Sequence, residues 1–217
     1  MNEGTKIKEL VQTLNHYRHA YYNLNVPEIS DVEYDRMYDQ LKKLEAETGI
    51  IYSNSPTQTV GYPPISELKK VPHPHPLLSL DKTKQVTDLC RFCGSHAALL
   101  MLKLDGLTVK LTYENGRLKE AATRGDGETG EEITHNIPAF ENVPLTIAYK
   151  ERLVVTGEAF IRRKDFERLN ETLRDRNGEP YKNTRNLAAG SVRSLDPENC
   201  KGRCVTFLPF NVLEGLD

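Results

Sequence analysis

The chain has 217 residues, 28% of them charged and 7% aromatic, with 29 lysines and arginines against 31 aspartates and glutamates. That length can bury a substantial core in one or two domains, and so even a charge balance excludes a global basic field; any nucleic-acid contact must be a local patch. No stretch is apolar for long enough to span a bilayer and the first residues lack the core of a secretion signal, so a cytoplasmic protein without membrane contact is expected.

Ile7, Leu10, Val11, Leu14, Tyr17 and Tyr21 recur at helical spacing and predict a first helix, broken by Asn25-Val26-Pro27. Ser30 followed by Glu33 is a capping box that starts a second helix near Asp31. Its stripe of Tyr34, Met37, Leu41 and Leu44 ends near Gly49. Two helices of this size bury both stripes poorly alone, so residues 1–50 read as a small appendage that packs on, or swings against, a larger body. Residues 51–77 contain Pro56, Pro63, Pro64, Pro72, Pro74 and Pro76 and read as an extended, semi-rigid connection, with His73 and His75 as solvent-facing spacers. The larger body would then occupy residues 78–217.

Val86 to Phe92 reads as a helix. Its Cys90 and the following Cys93 form, with Cys200 and Cys204, pairs that resemble zinc half-sites. The halves lie far apart and no histidine spacing supports them, so reduced thiols are expected and no metal site. An apolar run, Ala97 to Leu102, leads into Lys103-Leu104-Asp105-Gly106. A lysine at a strand end beside a carboxylate is a candidate covalent nucleophile once burial or cationic neighbours free its lone pair.

Leu107, Val109, Leu111 and Tyr113 then alternate with Thr108, Lys110 and Thr112. Asn115-Gly116 supplies a hairpin turn, and Leu118 to Thr123 returns to Arg124-Gly125-Asp126-Gly127. A strand over 152–161 carries Gly157-Glu158. A helix from about Lys164 to Arg176 and a strand over 205–212 complete an α+β fold, mostly antiparallel sheet with inserted helices. Between them, Asn183 to Arg193 places Arg185 and Arg193 in a segment dense with small residues.

In this order, Pro27 to Asp35, Lys103 to Gly106, Arg124 to Gly127, Gly157-Glu158 and Asn183 to Arg193 resemble the N-terminal part of the bacterial NAD-dependent DNA ligases. The resemblance runs from about Leu10 to Pro209. It implies a helical domain that grips the nicotinamide mononucleotide half of NAD, then part of an adenylation domain of ATP-grasp-like nucleotidyltransferase fold. Lys103 would attack the α-phosphate of NAD with Mg2+ present, take AMP, and release nicotinamide mononucleotide. AMP would pass to the 5′-phosphate of nicked double-stranded DNA.

The resemblance also assigns roles. Asp105 would orient Lys103 or touch metal and leaving group; a plain turn carboxylate is the alternative. Arg124 would contact the ribose or phosphate. Glu158 would accept from the ribose hydroxyls, unless an internal salt bridge occupies it. Arg185 and Arg193 would bind phosphates, Ser79 and Leu80 would lie along the adenine, and Tyr21 with Asp31, Tyr34 and Asp35 would hold the nicotinamide half. Asp31, Tyr34 and Asp35 share one helix face by their spacing, although Tyr34 also belongs to the apolar stripe.

Two residues and one segment depart from the family pattern: Met101 replaces a glutamate that reads the adenine amino group, Tyr22 a histidine, and Tyr181-Lys182-Asn183-Thr184 a Phe-Ala-Asn-Pro. The sequence also ends before the family's later nucleotide-binding motifs. A truncated module is therefore expected: a fragment, one half of a split enzyme completed by a second chain, or a reduced relative. The alternative function is a module that binds NAD, AMP or nick phosphates without sealing. An ATP-using ligase shares the lysine motif but gives no reason for the helix pair.

Overall fold

A computed structural model describes residues 3–22, 28–52, 54–58, 67–78, 83–175 and 178–216; Ser79, Leu80 and the expected break at 25–27 lie outside them. Helix α1 (Glu3–Tyr22) packs on α2 (Asp31–Thr48). The capping box forms as read, with Glu33 N–H donating to the Ser30 hydroxyl at 3.3 Å and Ser30 N–H donating to the Glu33 carboxylate at 3.1 Å. Gly49, at φ 68°, ends α2 in the left-handed region.

Contrary to the expectation from their size, the two helices do enclose a core. Ile7, Val11, Leu14 and Leu41 are buried together, flanked by Leu10, Tyr34, Met37, Leu44 and Tyr52. Residues beyond Gly49 close it: Tyr52 packs on the cluster, and the hydroxyls of Ser55 and Thr57 each donate to the Glu45 carboxylate at 2.6 Å. Each aliphatic side chain buried in this way stabilises the pair by about 1.5–3 kcal/mol.

The larger body is an antiparallel sheet in the order β3-β2-β5-β6, from β2 (Leu107–Glu114), β3 (Arg117–Thr123), β5 (Leu153–Phe160) and β6 (Thr206–Glu214). Asn115 and Gly116, at φ 52° and 73°, turn β2 into β3 as the Asn-Gly pair predicts. Val109, Leu111, Ala121, Ala159 and Phe207 face Ile133, Ile137 and helix α5 (Thr184–Val192), whose Leu187, Ala188 and Val192 are buried. The result is the mixed α+β architecture that the alternation implies.

Four elements depart from the reading. Helix α4 (Arg163–Asn170) is shorter than expected, and the Asn170 side chain pairs with the backbone of Tyr181, donating at 2.9 Å and accepting at 2.7 Å; the expected end at Arg176 lies outside the described residues. Helix α5, capped by Asn183 accepting from Asn186 N–H at 2.8 Å, fills a segment to which the sequence assigned no element. The run 97–102 forms no strand, and Leu99, Leu100 and Leu102 are exposed after α3 (Val86–Cys93).

The fourth departure is the proline-rich stretch. Leu68, Val71, His73 and Leu77 are buried, and β1 (Lys70–Pro72) pairs with β4 (Thr129–Glu131). His73 is thus no solvent-facing spacer, whereas His75 is exposed. Pro72 is tolerated because this ladder is only two strands wide.

The cysteines are free, and burial pushes the Cys200 thiol up to about 11, with Arg203 opposing. Among the described residues no group of three or more His, Cys, Asp or Glu side chains could hold a metal ion, and no helix is long and apolar enough to cross a membrane.

Candidate active site

The sheet sets Thr108 directly opposite Glu158 in the β2–β5 register. Their side chains therefore rise from the same face, and the Thr108 hydroxyl donates to Glu158 Oε2 at 3.0 Å. Glu158 Oε1 accepts from Gly106 N–H at 3.1 Å. Glycine at 106 is a matter of space, since a Cβ there would lie 2.1 Å from the Ala159 carbonyl oxygen. The half-buried carboxylate is held by two donors on separate oxygens, neither of them cationic, and each oxygen keeps accepting capacity for a hydroxyl. The salt bridge weighed for Glu158 is not what holds it.

Arg124 follows directly from β3, and its N–H donates to the Thr108 carbonyl at 3.0 Å. The residue is half-buried, and its guanidinium makes no ion pair with a described carboxylate. Asp126 Oδ1 accepts from the N–H groups of Glu128 and Thr129 at 3.0 and 2.7 Å, so this carboxylate shapes the turn. Gly125 serves close packing too: a Cβ there would lie 1.9 Å from the Thr129 carbonyl oxygen.

Asp105 pairs with Arg185 of α5 at 3.3 Å, and the Arg185 guanidinium lies 5.0 Å from the centre of the Tyr21 ring. One arginine thus links the Lys103 segment to the last turn of α1 through an ion pair and a cation–π contact. Lys103 itself is exposed and pairs with no described carboxylate, rather than lying in the enclosed pocket that a deprotonated amine suggests.

Arg193 is held by a different carboxylate. Its guanidinium meets the buried Glu131 carboxylate with two bonds, at 2.6 and 3.0 Å, and Lys70 approaches the same carboxylate at 3.5 Å. Asn136 Nδ2 holds the carbonyls on either side, Val192 and Ser194, at 2.8 Å each. A phosphate at Arg193 would compete with a bidentate, nearly dry ion pair. On α2, Asp31 and Asp35 are exposed while Tyr34 packs on the helix-pair core, with its ring 6.3 Å from that of Tyr38.

Comparison with known families gives two adjoining matches: the N-terminal NAD+-binding domain of DNA ligase-like proteins over residues 1–61, and the NAD-dependent DNA ligase adenylation domain over residues 65–216. The chain belongs to the NAD-dependent DNA ligase family. It is 47% identical to a DNA ligase of Ruminiclostridium cellulolyticum and 46% identical to one of Lachnoclostridium phytofermentans. Each alignment covers 96% of this chain and 32% of the relative, so the chain spans about a third of the length of these ligases.

Within the ligase framework the fold brings Gly106, Thr108, Arg124 and Glu158 together, and Asp105 with Arg185 and Tyr21. Arg193 is engaged by Glu131, and Asp31 and Asp35 are exposed on α2. The sequence reading gave neither Thr108 nor His73 a role at the site. The alternation set Thr108 on the polar face of β2, which is the signal that could have found it; His73 carried none beyond its residue type.

Proposed function

We propose that this chain is the adenylation module of an NAD-dependent DNA ligase. The observation that carries the reading is the Glu158 carboxylate, fastened by Gly106 and Thr108 at the base of the Lys103 segment and flanked by Arg124, which pairs with no described carboxylate. A carboxylate with free accepting capacity suits a ribose, and a guanidinium without a carboxylate partner suits a phosphate. NAD, a substrate of the reaction, offers both.

In this reading Lys103 Nζ, after losing a proton to solvent, attacks the α-phosphorus of NAD. A P–N bond forms, the P–O bond to nicotinamide mononucleotide breaks, and that group leaves with the electron pair. Asp105 keeps Arg185 beside the segment, where the guanidinium neutralises phosphate charge, and Tyr21 brings the appendage of residues 1–50 to the leaving-group side. Mg2+ ordinarily binds through substrate phosphates and one or two carboxylates; Asp105, on the Lys103 segment and largely exposed, would be the protein ligand. AMP would then pass to the 5′-phosphate of nicked duplex DNA in the cytoplasm, with the remaining length of the relatives supplied in the same or a second chain.

Incubation with NAD and Mg2+ should add the mass of one AMP, and Lys103→Ala should abolish the adduct; ATP should not replace NAD. A second reading, a module that binds nucleotide without transfer, is favoured by the exposure of Lys103. Saturable calorimetric binding of NAD without an adduct would support it over the first.

A further inference from the structure

We propose that His73 is a positioning residue that fixes the Arg124 turn from behind, a role that rests on the nucleotide-transfer reading above. His73 is 7% exposed, and its Nε2 lies 3.0 Å from the Thr123 carbonyl oxygen and 3.2 Å from that of Arg124. Two carbonyl acceptors require a donor, so Nε2 carries the proton. The turn is built around this ring. His73 N–H donates to the Glu128 carbonyl at 2.7 Å, and Leu77 N–H donates to that of Gly127 at 2.8 Å. A Cβ at Gly130 would lie 2.8 Å from His73 Nε2, so β4 must be bare there.

Nδ1, in contrast, is buried without a hydrogen-bond partner among the described residues. An orphaned buried acceptor costs about 1–3 kcal/mol, which an aliphatic side chain would avoid. The two Nε2 bonds offset much of that cost, so net stability gives only a weak reason for imidazole at this position. Placement gives a better one. The clamped carbonyls flank the Arg124 Cα, Arg124 N–H bonds Thr108, and Thr108 bonds Glu158. Tilting the Thr123 and Arg124 peptides would swing the guanidinium away from the carboxylate that shares its ligand.

The experiment measures the rate of AMP transfer from NAD to the wild-type chain, His73→Leu, His73→Gln, Arg124→Ala and the double variant His73→Leu/Arg124→Ala. Amide exchange is followed in the same samples. His73→Leu should slow transfer by about tenfold or more, and His73→Gln, whose amide donates from a similar distance, should restore it to within about threefold. In the Arg124→Ala background, His73→Leu should add nothing, because its effect runs through that arginine. Exchange should rise at Gly127 N–H, which bonds the Arg124 carbonyl, and not at Leu111.

Wild-type rates in His73→Leu, or additive losses in the double variant, would overturn the proposal while leaving the transfer reading intact. Should the wild-type chain take no AMP, the transfer reading fails instead. Unchanged exchange at Gly127 in His73→Leu would then overturn the positioning role as well.

Discussion

Gly106 shows how closely the site depends on one missing atom. Its backbone is not in the left-handed region, so its requirement is contact: Ala159 O occupies the place of a Cβ. Gly106→Ala must lift the start of β2 from β5 and break the N–H bond to Glu158. A loss of about 1–3 kcal/mol in unfolding free energy is expected, together with loss of AMP transfer. Denaturant unfolding and adduct formation check both, and a variant with wild-type stability would refute the contact argument. His73 makes a pH prediction at the same scale. Burial, then the charge of Lys110, holds its imidazole below the ordinary value of 6.5. The unfolded chain thus binds a proton that the native state refuses, so stability is present above that value and is lost as pH falls below it towards the folded value. Melting temperatures between about pH 7.5 and about pH 5.5 should fall less in His73→Gln than in wild type; equal falls would contradict this.

Local elements with strong chemistry were legible from sequence. Ser30 and Glu33 start α2, Asn115-Gly116 turns the hairpin, and alternation from Leu107 to Tyr113 sets the face on which Thr108 meets Glu158. What was not legible depends on partners remote in sequence. The prolines around Val71 read as a linker because nothing local announces that 70–72 pairs with 129–131. Helix α5 lacks a clear apolar stripe because small residues, Ala188, Ala189 and Ser191, make up part of its buried surface. Arg193 looked free for phosphate because Glu131, its partner, lies far back in the chain. The helix pair and the sheet have separate cores with no shared residue. Leu14, fully buried in the first, should cost about 2–5 kcal/mol when changed to Ala. Amide exchange should then rise in α1 and α2 while Val109 and Leu111 stay protected; a matching rise in β2 would mean that the two cores unfold as one.

Across the molecule a continuous line of contacts runs from His73 through Arg124, Thr108, Glu158 and Gly106 to Asp105, Arg185 and Tyr21. It joins the two family domains and passes beside Lys103. The order of motifs along the chain announced this site, but not its wiring, because only the fold makes Thr108 and Glu158 neighbours. Exposed Lys103 is the point on which the functional account turns. Peptide mapping after reaction with NAD and Mg2+ tests it most directly. The account predicts AMP on the peptide that contains Lys103, and no label in Lys103→Arg, which keeps the charge but offers no nucleophile. AMP on another lysine, such as Lys110, or undiminished labelling of Lys103→Arg would contradict it.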